Sequence, residues 1–202
     1  KTEAKNFPLE VLFLRDDDIP QYVEENVADI GIIGENEVWE KNKNIEIITK
    51  LGFAGCRLSL AIPKEEEYTG INYFKNKKIA TTYPKILRTY FNEKKIYPEI
   101  EEIGGCVEIA PGIGLANAIF DIVSTGSTLI LNGLKEVEIV TKSEAVVVSN
   151  KNLSTIKQQI LHKLLFRINA VKNANKNKYI LLNAPLSVVP EISNILPGMK
   201  SP

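Results

Sequence analysis

The sequence predicts an α/β fold, because short β-type runs alternate with helical patterns along its 202 residues. Near the start, a strand is predicted at 9–14, and the acidic triplet 16–18 followed by Ile19 and Pro20 is typical of a helix start. Further along, residues 154–174 place apolar side chains at spacings of three and four, which indicates a long amphipathic helix. Because segments with the apolar spacing of strands alternate with segments that have the spacing of helices, the sequence predicts the α/β class.

The other elements follow in order along the chain. Strands are predicted at 29–33, 45–51, 58–63, 78–81 and 99–103, with a helix at about 86–94 between the last two. A long β-rich stretch at 137–148 is interrupted at 141–143. A polar linker after Ala174 leads to a predicted strand at 179–185 and a short helix at 190–196. This last pair of elements is too small to bury a core alone. Trp39, on a predicted helix, is expected to lie in the core.

Charge and composition restrict the partners. The 25 basic residues balance the 25 acidic ones, so no net field favours nucleic acid or a membrane surface. No apolar run approaches the ~18 residues of a membrane span, and no charged-then-apolar leader opens the chain. Cys56 and Cys106 are therefore expected to be reduced. These observations predict a cytoplasmic protein without nucleic-acid or membrane partners, and they fit an enzyme and a small-molecule binding protein equally.

The segment 121–128, D-I-V-S-T-G-S-T, has the composition of a phosphate-binding turn. Gly126 lets the backbone approach a ligand closely, and a helix predicted to start at Thr128 and Leu129 adds partial positive charge. Asp121 is placed to hold a ribose hydroxyl or Mg²⁺. Four hydroxyl groups can donate hydrogen bonds to phosphate oxygens: those of Ser124, Thr125, Ser127 and Thr128. An ordinary Ser/Thr/Gly turn between a strand and a helix has the same residues, so the segment alone does not decide the function.

The wider segment 108–129, from Glu108 through the turn, resembles the signature of the ATP phosphoribosyltransferases, which catalyse the first step of histidine biosynthesis. Six other segments match that family in the same order: R-D-D-D-I-P from Arg15, A-D-I-G-I-I-G from Ala28, L-G-F-A-G-C-R-L from Leu51, A-T-T-Y-P from Ala80, S-E-A-V-V-V from Ser143 and L-L-F-R-I-N-A-V from Leu164. The resemblance covers essentially the whole chain. Asn117 and Thr82 depart from the family's pattern and reduce the charge near the expected cleft.

The resemblance implies a two-lobed catalytic core like that of the type II periplasmic binding proteins. Lobe one would comprise residues 1–57 with 143–174, and lobe two residues 58–142, with crossing strands at 58–63 and 143–148. Residues 178–202 would begin a small α+β, ferredoxin-like regulatory domain of the kind found in the longer members. Relative to those members, the chain is expected to be truncated at both ends.

The resemblance also implies a reaction, in which the phosphoribosyl group of phosphoribosyl pyrophosphate is transferred to N1 of ATP and pyrophosphate is released. It implies Mg²⁺ as the cofactor, histidine as a feedback inhibitor that binds mainly in the regulatory domain, and a homo-oligomer, either dimer or hexamer. Asp121 and Glu108 would be the catalytic acids and the candidate Mg²⁺ ligands. The residues expected to bind phosphoribosyl pyrophosphate are Asp121, Ser124, Thr125, Gly126, Ser127 and Thr128.

Arg15, Arg57 and Tyr83 are the candidate ATP-binding residues. Arg15 stands between a predicted strand and a helix start, where an anion contact and an ion pair with Asp16 or Asp18 are equally compatible with the sequence. For Arg57 too, the sequence is compatible with an anion contact and with an ion pair. Tyr83 can stack on a base or be an ordinary half-buried tyrosine.

Two rival functions stay open at this point. One is a two-lobed module that binds a small anion without chemistry, and the other is a catalytically silent regulatory subunit of the same fold. The turn at 124–128 together with Asp121 and Glu108 favours the enzyme, because a simple solute binder does not need these groups.

Overall fold

A computed structural model describes residues 1–176, 180 and 182–195. The helices are α1 (Ile19–Glu24), α2 (Glu35–Lys41), α3 (Pro84–Lys94), α4 (Ser127–Leu131), α5 (Thr155–Lys176) and α6 (Val189–Ile195). The strands are β1 (Thr2–Glu3), β2 (Glu10–Val11), β3 (Ile30–Gly34), β4 (Ile45–Lys50), β5 (Cys56–Pro63), β6 (Lys78–Thr81), β7 (Glu99–Glu102), β8 (Ala118–Val123), β9 (Leu134–Ser143) and β10 (Ala145–Asn150). Short 3₁₀ turns lie at Ile71–Phe74, Val107–Ile109 and Leu186–Val188. The predicted α/β class is confirmed.

Residues 1–154 form one compact unit, and the described residues from Thr155 onward form a second. The second unit contains α5 and α6. In α5 the sole histidine, His162, is exposed, as its position off the apolar stripe predicts. No helix among residues 1–176 and 182–195 combines the length and the apolar character that a membrane crossing requires.

The first unit contains a small sheet of three strands, ordered β3-β10-β4, in which all pairs are antiparallel. The central strand β10 is buried along its whole length, which suits its run of three valines. Helix α1, whose first turn contains Pro20, packs against this sheet with Val23 fully buried. We call the small sheet with α1 and α2 the small lobe.

A second sheet of five strands has the order β7-β6-β8-β5-β9. Strand β6 runs parallel to β7 and β8, whereas β5 runs antiparallel to β8 and β9. One face is covered by α3 and an aromatic cluster around Phe74 and Phe91, and on the other Val107 and Leu129 cluster with Ile119 of β8. We call this sheet with α3 and α4 the large lobe.

The chain passes between the lobes twice, at 51–55 and at Glu144. The two crossings are hydrogen-bonded to each other, since the Leu51 N–H donates to the Ala145 carbonyl at 2.8 Å and the Ala145 N–H donates to the Phe53 carbonyl at 3.1 Å. The Glu35 N–H, at the start of α2, donates to the Glu144 carbonyl at 3.0 Å. The two connections therefore form one hydrogen-bonded hinge.

Several sequence predictions need correction. The strand predicted at 9–14 is reduced to Glu10–Val11, paired with Thr2–Glu3, because the following Phe13 is 81% exposed and contributes to neither main sheet. The β-rich stretch 137–148 is two strands in different sheets, separated at Glu144. Trp39 is 36% exposed, so its expected place in the core is wrong.

The terminal elements were predicted only in part. The described residues of 179–185, which are 180 and 182–185, are not in a strand, and 179 and 181 lie outside the described residues. The predicted short helix is α6, which begins one residue early, and position 196 lies outside the described residues.

Candidate active site

The predicted phosphate-binding turn joins β8 to α4 on the large lobe. Its helix begins at Ser127, one residue before the predicted start, and Gly126 is the N-cap with φ 82°. This left-handed conformation favours glycine. Ser124, Thr125, Ser127 and Thr128 are exposed, and the Thr125 and Ser127 hydroxyl oxygens lie 2.9 Å apart. Because Val123 and Leu129 are buried on either side, the turn is anchored at both ends while its hydroxyls face solvent.

Asp121 lies on β8, opposite Ser59 of β5 and three residues before the turn. Its Oδ1 accepts a hydrogen bond from the Ile122 N–H at 2.7 Å. Burial raises the pKa of Asp121 to about 6, and the negative charge of nearby Glu108 raises it as well. Glu108 is half-buried on the 3₁₀ turn Val107–Ile109. The fold thus brings the two predicted acids near each other, although they are thirteen residues apart in sequence.

Two carboxylates beside a phosphate-type turn can hold a divalent cation. Among residues 1–176, 180 and 182–195, no group of three or more His, Cys, Asp and Glu side chains is placed to ligate a metal. Mg²⁺ is commonly bound by one or two carboxylates together with substrate phosphates, and it keeps several waters. Burial is the main cause of the raised pKa of Asp121, and Glu108 adds a second negative charge nearby. Asp121 and Glu108 therefore fit a cation that arrives with its substrate.

Arg57, on β5, links the neighbouring strand β9 to the turn. Its Nε and Nη2 donate to the two carboxylate oxygens of Glu136 on β9 at 2.6 and 2.7 Å, and its Nη1 donates to the Ser124 carbonyl at 3.0 Å. The Ser59 hydroxyl donates to the same carboxylate at 2.6 Å. The ion pair raises the pKa of Arg57 and lowers that of Glu136. Arg57 thus fixes the first residue of the turn.

The other two candidate ATP-binding residues lie in different surroundings. Arg15 is exposed, and its Nε is 3.3 Å from Oδ1 of Asp17, which is neither of the two partners that its sequence neighbourhood suggested. Tyr83 is 8% exposed, with its ring in the core of the large lobe. The Tyr83 hydroxyl accepts from Nδ2 of Asn36 at 3.4 Å and is hydrogen-bonded to Glu37. Burial, together with the charges of Glu37 and Asp121, raises the pKa of Tyr83.

A pocket of about 460 Å³ opens at the hinge beside the turn. Ser124 and Arg57 form part of its wall, and Lys50 and Lys142 add two further cationic groups. Nζ of Lys50 lies 2.7 Å from Oε2 of Glu35, an acid that also lines the pocket. Glu144 is a second acid in the lining, so three basic and two acidic side chains border the pocket next to the turn. Sequence reasoning missed Lys50, Lys142 and Glu136, because no local spacing links these residues to 124–128.

Two lobes joined by two crossings, with a phosphate-type turn and two acids on one of them, define a periplasmic-binding-protein-like fold that carries a candidate anion site. The family model for ATP phosphoribosyltransferase matches residues 15–170. The chain therefore belongs to the ATP phosphoribosyltransferase family. The sequence-based predictions of the family, the fold class and a transferase activity are confirmed.

Individual relatives agree with this assignment. The ATP phosphoribosyltransferase of Bacteroides thetaiotaomicron is 60% identical over 200 residues, which are 99% of this chain and 71% of the relative. That of Azobacteroides pseudotrichonymphae is 61% identical with the same coverage. The ATP phosphoribosyl transferase (HisG:HisZ) complex from Thermotoga maritima superposes with a TM-score of 0.71 at 27% identity, covering 85% of both chains. The substrate-binding protein of an amino acid ABC transporter, with a TM-score of 0.61 at 14% identity over 82% and 75% of the chains, shows the shared fold alone.

Proposed function

We propose that this protein transfers the phosphoribosyl group of phosphoribosyl pyrophosphate to N1 of ATP, in the first step of histidine biosynthesis. The lone pair of adenine N1 forms a bond to C1 of the ribose, and the bond from C1 to the pyrophosphate oxygen breaks, with its electron pair leaving on pyrophosphate. The observation that supports this proposal is the position of Asp121, three residues before the 124–128 turn and near enough to Glu108 to feel its charge, in a member of this family.

The proposed roles follow from the surroundings of each residue. The N–H groups in the first turn of α4 have no partner within the helix, and together with the exposed hydroxyls of 124–128 they would bind the 5′-phosphate. Positive charge builds on the sugar ring in the transition state, and the Asp121 carboxylate would stabilise it while holding ribose hydroxyls. Mg²⁺ held by Asp121 and Glu108 would act as a Lewis acid that neutralises the departing pyrophosphate.

ATP is proposed to approach from the hinge side. Arg57 and its cationic neighbours in the hinge pocket would meet the triphosphate, and the exposed Arg15 can join them by exchanging its ion pair with Asp17. The ring of Tyr83 is buried and its hydroxyl is hydrogen-bonded to Asn36 and Glu37, so any role of Tyr83 in binding ATP would be exerted through these neighbours. Holding both substrates in line can supply about 7–11 kcal/mol of barrier reduction without a protein nucleophile.

Inhibition, lobe boundaries, cellular location and oligomeric state are also proposals. Histidine would inhibit the enzyme by binding to the regulatory domain to which residues 178–202 would belong. The division into catalytic lobes at 1–57 with 143–174 and at 58–142 is likewise a proposal. The protein would act in the cytoplasm as a homo-oligomeric dimer or hexamer. Support for association comes from the Thermotoga maritima relative, which was solved as a HisG:HisZ complex.

The proposal is tested by mixing the full-length protein with Mg²⁺, ATP and phosphoribosyl pyrophosphate and following N1-substituted adenine by its ultraviolet absorbance. Release of one pyrophosphate per product is expected. Binding of phosphoribosyl pyrophosphate in a calorimeter, without product or pyrophosphate, would instead identify the catalytically silent anion-binding subunit.

Acidification is expected to weaken catalysis at a defined pH. Because the pKa of Asp121 is about 6, its carboxylate gains a proton below that pH and can no longer hold Mg²⁺ or accept from ribose hydroxyls. For one required ionisation, kcat/KM for phosphoribosyl pyrophosphate should fall about tenfold per pH unit below 6. Steady-state rates between pH 5 and 8 measure this, and a flat profile down to pH 5 would contradict it.

Glu136→Gln is expected to raise the KM for phosphoribosyl pyrophosphate about fivefold. The change removes the charge from the pair that holds Arg57 against the Ser124 carbonyl, at a cost on the order of 1 kcal/mol for these partly exposed side chains. The matched control is Glu138→Gln on the same strand, which weakens a 2.6 Å hydrogen bond from the Tyr68 hydroxyl in the same lobe. Equal KM values in the two variants would show that Arg57 does not hold the turn.

A further inference from the structure

The carboxylate of Glu40, in the small lobe, accepts hydrogen bonds from the large lobe. Glu40 lies near the end of α2 in the small lobe and is 6% exposed. Its Oε1 accepts from the Lys85 N–H at 3.0 Å, and its Oε2 accepts from the Lys85 and Ile86 N–H groups, both at 3.1 Å. Both donors belong to the first turn of α3 in the large lobe. A helix of one lobe is thus capped by an acid of the other.

Helix α3 has no cap of its own. Its N-cap residue, Tyr83, makes no side-chain capping hydrogen bond, and the helix starts at Pro84, which lacks an N–H. The next N–H groups have no partner within the helix, and a negative charge at this end is favourable. Glu40 satisfies these donors only while α2 is docked on α3. The capping interaction therefore favours the docked arrangement over separated lobes.

The docked helices meet beside the candidate active site. Asn36, one turn before Glu40 on α2, donates from Nδ2 to the Tyr83 hydroxyl at 3.4 Å and accepts at Oδ1 from the Ser143 hydroxyl at 2.7 Å. Ser143 borders the hinge at Glu144 and lines the hinge pocket. Tyr83 is near enough to Asp121 for the charge of that acid to affect it. The position of α2 against α3 thus affects Tyr83 of the large lobe and Ser143 at the hinge, which both border the candidate active site.

We propose that Glu40 is a positioning residue for the transfer reaction. By capping α3 across the lobes, it holds the large lobe, with Asp121 and the 124–128 turn, at a fixed distance from the small lobe. Glu40 acts through α3 and does not touch either substrate. This inference rests on the proposed function, because the reaction requires one substrate held by the turn to be aligned with ATP at the hinge.

The test compares Glu40→Ala and Glu40→Gln with Glu24→Gln in the full-length protein. Glu24 is the matched control, since its carboxylate accepts from the Asn44 N–H at 2.7 Å and pairs with Lys43 at 3.0 Å entirely within the small lobe. At a temperature where every variant is folded, we expect kcat to fall at least tenfold in Glu40→Ala, with the KM for phosphoribosyl pyrophosphate changed less than twofold. Glu40→Gln keeps one acceptor oxygen and should lose less activity than Glu40→Ala. Glu24→Gln should keep the parent kcat even if its thermal midpoint falls.

A second readout does not depend on catalysis. Hydrogen exchange at the Lys85 and Ile86 amides should accelerate in Glu40→Ala and remain at the parent rate in Glu24→Gln. A kcat within twofold of the parent in Glu40→Ala, or unchanged exchange at these two amides, would overturn the inference. Failure of the proposed function would look different, because the parent protein itself would then produce no N1-substituted adenine.

Discussion

Gly126→Val in the full-length protein is expected to raise the KM for phosphoribosyl pyrophosphate about 100-fold. Gly126 has φ 82°, and a β-branched residue is a strong outlier at positive φ. The turn must therefore change its backbone, which moves the N–H groups of α4 and the hydroxyls on either side of Gly126. A 100-fold effect corresponds to about 2.7 kcal/mol, within the range for losing one or two charge-assisted phosphate contacts.

The control for this prediction lies at the other end of the same helix. Gly133 has φ 69°, and a Cβ added there meets no heavy atom within 4 Å. Gly133→Val thus brings comparable backbone strain to α4 without altering the turn. We expect both variants to lose thermal stability and only Gly126→Val to lose affinity. Equal KM values in steady-state assays would remove the turn from the binding site.

Asp121→Asn is expected to lower kcat/KM by about two orders of magnitude while making the free protein more stable at pH 7. The loss of activity follows from removing the carboxylate that faces the developing positive charge, a contact on the order of 1.5–3 kcal/mol. The gain in stability follows from the pKa, which is about 6 in the folded protein against an ordinary value of 3.8. An acid whose pKa is raised by folding stabilises the folded state below about pH 4, and this contribution is lost as the pH rises through 6.

Chemical denaturation and kinetics on the same samples check both halves of this prediction. The gain in the free energy of unfolding should be on the order of 3 kcal/mol at pH 7 and should vanish near pH 4. Glu99→Gln, at the edge strand β7, replaces an exposed acid paired with Lys78 and should change neither quantity appreciably. Asp121→Asn protein that is both active and no more stable than the parent would refute the assignment of Asp121.

The sequence predicted features that depend on neighbouring residues and missed those that depend on distant ones. The turn at Gly126 was found because its glycine, hydroxyls and helix start are adjacent in the chain. The strands at 45–51 and 78–81 were found because their apolar runs are local. The pairing of Arg57 with Glu136 joins residues 79 positions apart, and the capping of α3 by Glu40 joins residues 45 positions apart. No periodicity records such contacts, since they exist only after the lobes have packed.

Two predictions from local sequence patterns were wrong, because packing between distant parts of the chain decides strand pairing and burial. The apolar run at 9–14 has strand character, yet Phe13 remains exposed and pairing stops at Val11. Trp39 lies on a helix as predicted, but α2 turns four acidic or amide side chains inward: those of Glu35, Asn36, Glu37 and Glu40. Burial of these polar groups depends on hydrogen-bond partners in the other lobe and at the hinge, which a hydrophobic pattern cannot reveal.

The hydrogen bonds between the two crossings have a mechanical consequence. Because Leu51 and Phe53 are both hydrogen-bonded through their backbones to Ala145, the two connections between the lobes are coupled to each other. Any rotation of the lobes must therefore move both connections together. Gly52, on one connection, and Glu144, on the other, both line the hinge pocket, so a ligand bound there would contact both connections at once.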